Sequence, residues 1–131
     1  MEGWLGSMRV LVVDDDRAFL NVLRWALDEA GHEVVIAPDG AAGLALVSER
    51  RPDVILLDVR MPGMDGATFA RRYGELPGPQ APIVVLSGLQ DARDRIKNAA
   101  AYMVKPFELD ALIALLARVG GSTQDAGRPN A

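Results

Sequence analysis

The sequence predicts an α/β fold, a three-layer α/β/α sandwich built on a five-stranded parallel sheet, and three observations predict it. Five short segments rich in β-branched residues and leucine alternate with segments of helical apolar spacing. Three of the five, Arg9–Val13 (RVLVV), Asp53–Leu57 (DVILL) and Pro82–Leu86 (PIVVL), are nearly unbroken apolar runs, as strands covered on both faces must be. Cap and turn residues stand where the period changes. Parallel strands joined by right-handed crossovers then place helices on both faces of the sheet.

Each element follows from its own residues. Residues 1–8 read as an N-terminal extension or tag, with Met8 a candidate natural start, and Arg9 opens the first strand. Asp16 is placed to cap a helix running to about Ala30, with Leu20, Leu23, Leu27 and Ala30 on one face and Gly31 as its stop. Glu33–Ala37 (EVVIA) is the second strand, and the turn Pro38-Asp39-Gly40 leads into a helix over 41–50 that turns Leu44, Ala45 and Val47 inward. The strand ending at Leu57 is followed by the loop DVRMPGMDG and a helix from about Ala67 to Leu76. Pro77-Gly78-Pro79 breaks the chain before the fourth strand. A short polar helix over 91–99 precedes a brief strand at Tyr102–Val104, and Lys105-Pro106 turns into a last helix over 108–119. Residues 120–131 (GGSTQDAGRPNA) read as a flexible linker or tail, which leaves 9–119 as the domain.

Composition narrows the function classes. The 131 residues suit one compact domain, which buries roughly two-thirds of the surface of its unfolded chain. There is no cysteine and a single histidine, so disulfides, thiol catalysis, Cys-ligated metals and multi-His metal sites are all excluded. The net charge of −4 carries no basic stripe, which argues against direct nucleic acid binding by this domain. No apolar run reaches the roughly 20 residues that span a bilayer, so no membrane association and a cytoplasmic location are expected.

In parallel sheets of this type, chemistry collects beyond the carboxyl ends of the strands. The first strand ends at Asp14-Asp15, the third at Asp58, the fourth at Ser87 and the fifth at Lys105. Two carboxylates 5 Å apart repel by about 3 kcal/mol at an effective dielectric near 20, so three on one rim call for a cation. A hard divalent ion with oxygen ligands answers that need, and Mg²⁺ (with Mn²⁺ as a substitute) suits carboxylates, waters and a phosphate oxygen. Lys105 adds a fixed positive charge and Ser87 a hydroxyl donor. A carboxylate beside such a set is equipped for phosphoryl transfer, with Asp58 as the attacking group. Singly, each residue has an ordinary reading: an Asp after a strand is a turn or cap, Ser87-Gly88 a turn, Lys105-Pro106 a bend. Their joint placement is what points to a site.

The segments VLVVDDD, PDVILLDVRMPGMDG, PIVVLSG and AYMVKPF resemble the receiver domain of bacterial two-component response regulators, over about 9–119. The resemblance implies a flavodoxin-like (CheY-like) fold with strand order 2-1-3-4-5. It implies Asp58 as phospho-acceptor from the phosphohistidine of a sensor histidine kinase or phosphotransfer protein. Mg²⁺ would be held by Asp15, Asp58 and the backbone carbonyl of Arg60, with Asp14 acting through water. Lys105 would pair with the phosphate, and the Lys105-Pro106 bond would be cis. Ser87 would swing toward the phosphate, and Tyr102, the switch aromatic, would follow it inward to alter a surface that meets a downstream effector domain or protein, or a second copy in a phosphorylation-dependent homodimer. Such a domain is a phospho-acceptor and not an enzyme in the ordinary sense.

The sequence departs from the family pattern between Ser87 and Lys105, which is shorter by about one helical turn, ~4 residues. A short, frayed or displaced fourth helix is expected there, with Ile96 its one large apolar anchor. Arg60, two residues past Asp58, reads either as an exposed loop residue or as a charge that tunes the lifetime of the phosphoryl group. His32 is expected to face solvent, Phe19 and Trp25 to pack, and the wide apolar stripe of the last helix to be buried within the fold, with a partner or dimer contact at Leu115 or its neighbours as the alternative. Two other functions compete: a degenerate receiver serving as a phosphorylation-independent docking module, and a Mg²⁺-dependent phosphatase with an Asp nucleophile. The complete acidic set with Ser87 and Lys105 opposes the first, and Arg60 where a second acid is needed opposes the second.

Overall fold

The computed structural model describes residues 7–88, 96 and 98–127. Along the chain stand β1 (Arg9–Val13), α1 (Arg17–Glu29), β2 (Glu33–Ala37), α2 (Gly40–Arg50), β3 (Val54–Asp58), α3 (Gly66–Gly74), β4 (Ile83–Ser87), β5 (Ala101–Val104) and α4 (Leu109–Gly127). All five strands pair in parallel in the order β2-β1-β3-β4-β5. This is the expected sandwich.

Three of the helices begin on an aspartate. Asp16, Asp39 and Asp65 each have extended backbone, and their carboxylates accept the N–H of Phe19 (3.1 Å), Ala42 (2.8 Å) and Thr68 (2.8 Å). Each cap satisfies a donor that a helix start leaves orphaned and is worth about 1 kcal/mol. The strand period of two then sorts the apolar residues by face. Leu11, Val13, Ile55, Leu57 and Val85 pack with Val47 of α2 and with Phe69 and Tyr73 of α3. Val10, Val12, Leu56, Val84 and Leu86 pack on the other face with Leu20, Leu23 and Leu27 of α1 and Leu112 and Leu116 of α4. Each of these leucines and valines contributes about 1.5–3 kcal/mol on full burial.

Several expectations need correction. Ala30 is exposed, because α1 ends at Glu29 and the chain turns away at Gly31 (φ +97°); Ala26 fills the inward position instead. Ala45 is also exposed. The inward position of α2 belongs to Gly43, where a Cβ would stand 2.9 Å from the Phe69 ring. His32 is buried, not solvent-facing, since its Nδ1 accepts the backbone N–H of Met8 at 3.1 Å. Trp25 is 67 % exposed on α1 instead of packed.

Both ends of the domain also differ from the reading. Met8, assigned to the extension, has its side chain in the core and its carbonyl bonded to the N–H of Glu33. The last helix does not stop at Val119 but runs to Gly127, through part of the stretch read as linker. Gly120 acts there as a packing residue and not as the start of a linker: it is buried, and a Cβ on it would lie 1.9 Å from Met8 Sδ. Once a helix is packed, adding residues to it is cheap. The wide apolar stripe is accounted for on this helix, with Leu112 and Leu116 fully buried and Leu109, Ile113, Leu115 and Val119 packed beside them. The short helix expected over 91–99 lies mostly outside the described residues; Ile96 is described and buried.

Candidate functional site

Because every strand runs the same way, the carboxyl ends of β1, β3, β4 and β5 share one rim. Asp14 follows β1 directly, is 1 % exposed, and is pinned by its own N–H to the Ala37 carbonyl (3.1 Å) and by its carboxylate to the N–H of Asp16 (2.9 Å). Asp15 faces solvent. Asp58 is the last residue of β3 and is buried. One carboxylate oxygen from each of Asp14, Asp15 and Asp58 lies within 4.8 Å of the others.

Lys105 answers this charge. Its N–H bonds the Ser87 carbonyl at 2.7 Å, which ties the end of β5 to the end of β4. Its Nζ then reaches Asp14 Oδ2 at 3.0 Å and Asp58 Oδ1 at 3.4 Å. One ammonium among three carboxylates leaves the cluster short of positive charge. Burial, and then the nearby Asp14, push the Asp58 carboxyl up to about 6, against the pull of Lys105. For Lys105, burial alone would lower the pKa, but Asp14 and Asp58 outweigh it and raise the value above that of a free lysine. The donor set, carboxylate oxygens in excess of the charge that Lys105 supplies, fits a small hard divalent cation.

Ser87 closes β4 beside β3 and is 1 % exposed. Its Oγ has no hydrogen-bond partner among the described residues, an uncommon state for a buried hydroxyl. Tyr102 stands apart from the rim. It is 41 % exposed, and its hydroxyl donates to the Ile96 carbonyl at 2.6 Å. Arg60 is exposed in the loop after β3. The Lys105-Pro106 peptide is cis.

The loop from Asp58 to α3 is held close to the rim by Gly66. Its N–H bonds the Val59 carbonyl at 2.8 Å, and any Cβ at that position would sit 2.5 Å from the carbonyl oxygen of Asp58. Only a residue without a side chain permits this approach. Phe19 packs against the core as expected and also reaches the rim, and Phe107, to which the sequence gave no role, packs beside it. The Phe19 ring lies 4.5 Å from Lys105 Nζ and meets Phe107 edge-on. The available signal was the position of Phe19, three residues after the Asp16 cap.

Among the described residues no helix is long and apolar enough to cross a membrane. The family model of the response regulator receiver domain matches residues 10–117. Response regulator MprA of Mycobacterium sp. (strain KMS) is 40 % identical over 111 residues, which cover 82 % of this chain and 48 % of the relative. MprA of Mycobacterium bovis (strain BCG / Pasteur 1173P2) is 39 % identical over 112 residues with the same coverage. The chain therefore spans about half the length of the curated relatives it matches.

Among solved structures, a receiver domain protein from Methanospirillum hungatei superposes with a TM-score of 0.83 at 26 % identity, covering 92 % of this chain and 98 % of that one. The receiver domain of the sensor histidine kinase PA1611 from Pseudomonas aeruginosa, with a magnesium ion coordinated in its active-site cleft, gives 0.80 at 28 % identity over 88 % and 98 %. Sequence, topology and rim agree, and the chain belongs to the response regulator receiver domain family.

Proposed function

We propose that this domain accepts a phosphoryl group on Asp58 in a Mg²⁺-dependent reaction and thereby switches a protein-interaction surface. The observation that carries the reading is the cluster of Asp14, Asp15 and Asp58 with Lys105 bonded to two of them and the Ser87 hydroxyl, without a partner among the described residues, at the neighbouring strand end. The donor is the phosphohistidine of a sensor histidine kinase or a phosphotransfer protein. A carboxylate oxygen of Asp58 attacks phosphorus, the P–N bond breaks, and the imidazole, already protonated on its other ring nitrogen, leaves as the neutral ring with the electron pair of that bond. With a pKa of about 6, Asp58 is ionised in roughly nine molecules of ten at neutral pH, so the nucleophile is present without a general base.

Asp15, Asp58 and the Arg60 carbonyl would hold the ion, with Asp14 linked through water, and bound Mg²⁺ supplies countercharge for the phosphoryl oxygens. Lys105, already against Asp58, pairs with one of those oxygens. Ser87 then finds the acceptor it lacks: a phosphoryl group adds nearly two negative charges and strong acceptor oxygens beside it. As Ser87 turns toward the phosphoryl group, Tyr102 gives up its bond to the Ile96 carbonyl and moves inward. The surface carrying Tyr102 and Val104, both exposed here, changes with it. The output is an effector domain or protein, or a second copy of the chain.

The test is intact-mass measurement after incubation with acetyl phosphate and Mg²⁺. One added phosphoryl group, absent from Asp58→Asn and from samples with chelator, is expected. An unlabelled wild-type protein overturns the proposal and leaves a docking module.

A further inference from the structure

Two carboxylates and an aromatic ring surround the Lys105 ammonium. The ring is that of Phe19, with its centroid 4.5 Å from Nζ, while Asp14 and Asp58 stand at 3.0 and 3.4 Å. Phe19 comes from neither a strand end nor the acidic cluster. It sits in the first turn of α1, and its N–H is held by Asp16 at 3.1 Å. Its ring is braced in turn by Phe107, centroid to centroid 6.1 Å with planes at 74°, an edge-to-face pair. Both rings pack against the apolar cluster under α1 and α4.

An ammonium group carries three N–H donors on a flexible four-carbon stem. Two donors have carboxylate partners here. At an open rim the remaining side would be hydrated, and the side chain, 29 % exposed, would be free to swing into solvent. An aromatic face attracts a cation through its quadrupole but accepts no directed hydrogen bond in competition with oxygen. It therefore holds the charge in place and leaves the N–H groups for the oxygens on the rim.

We infer that Phe19 is a positioning residue for phosphorylation, its ring keeping the Lys105 ammonium beside Asp58 before the phosphoryl group arrives. The inference rests on the receiver reading above. Asp16 takes part as well, because by capping α1 this third aspartate of the acidic run sets Phe19 under the lysine. A charge fixed in advance costs no reorganisation during transfer, which is why holding it accelerates the step.

The experiment combines proton NMR of the lysine side chains with labelling rates from acetyl phosphate. The chain has two lysines, Lys97 and Lys105, so the Lys105 signals have only one other set to be assigned apart from. In the wild type the Lys105 ε-methylene protons are expected upfield of those of an unstructured lysine, shifted by the ring current of Phe19. In Phe19→Leu, which retains apolar bulk, that shift is lost and labelling slows about fivefold, the value of a partly desolvated cation–π contact. Phe19→Tyr restores both shift and rate.

A wild-type Lys105 shift equal to that of an unstructured lysine overturns the proposal. So does wild-type labelling by Phe19→Leu, or slow labelling by a Phe19→Tyr variant that retains the ring-current shift, since either makes Phe19 a packing residue only. If Phe19→Leu does not fold, Phe107→Leu carries the test: loss of the brace reduces both shift and rate, and no change in either overturns the proposal. A wild-type protein that takes no label removes the receiver reading and this proposal together, whereas normal labelling of Phe19→Leu removes this proposal alone.

Discussion

Replacing Asp58 by asparagine is expected to stabilise the metal-free protein. The carboxyl is buried beside Asp14 and has its pKa pushed up to about 6, against 3.8 for an ordinary aspartate. A folded-state pKa above the unfolded value favours the protonated form of the fold. The corresponding stability is fully present below pH 3.8 and lost as pH rises through 6. Above that pH, the ionised group costs the native state about 3 kcal/mol. Asparagine has nearly the same shape and no charge, so it removes this cost while leaving the packing in place. Urea unfolding at pH 7.5 with chelator should therefore give Asp58→Asn a gain approaching ~3 kcal/mol over wild type. Near pH 4 most of the gain should vanish, because both side chains are then largely neutral. Added Mg²⁺ should narrow the gap at pH 7.5, since an ion that binds only the native wild type stabilises it by mass action. Equal stability of the two proteins at pH 7.5 without metal would refute the reasoning, for the rim would then hold no excess negative charge.

Three further outcomes follow from the same geometry. Ser87→Ala removes a buried hydroxyl with no partner among the described residues, so the unphosphorylated protein should melt no lower than wild type and be up to about 1 kcal/mol more stable; after labelling, its Tyr102 ring signals should shift less than those of wild type. Gly66→Ala places a methyl group 2.5 Å from the Asp58 carbonyl oxygen and should cost about 1–3 kcal/mol in chemical denaturation while slowing labelling. Burial holds the pKa of His32 below 6.5, so its contribution to stability is present above pH 6.5 and lost as pH falls through the lower folded value. Asp58 gives the opposite slope in wild type, and the His32 effect should therefore emerge in Asp58→Asn, with an imidazole NMR midpoint below 6.5.

Most of the fold was legible because its signals are local. Three apolar runs, three capping aspartates and the breakers between them mark the strands and the first three helices to within about two residues. The gathering of Asp14, Asp15, Asp58, Ser87 and Lys105 was legible for a different reason, since parallel strands must all end on one side. What escaped was set by contacts distant in sequence. Met8 joins the core because His32, 24 residues away, accepts its N–H. Gly120, the first residue of the linker by composition, is a close-packing site because Met8 lies against it. Ala45 and Gly43 exchange places because the Phe69 ring leaves room for no Cβ at the inward position. Phe19 packs as expected, but nothing nearby in sequence shows that Lys105, 86 residues on, comes to rest against its ring.

A Mg²⁺ titration followed in the amide spectrum tests the central claim most directly. Progressive, saturable shifts at Asp14, Asp15, Asp58 and Arg60, reversed by chelator and strongly weakened in Asp58→Asn, are the expected result. Amides that stay in place at these four positions through millimolar Mg²⁺, while the fold remains intact, would contradict it: a rim of three carboxylates with one lysine would then be complete without a metal.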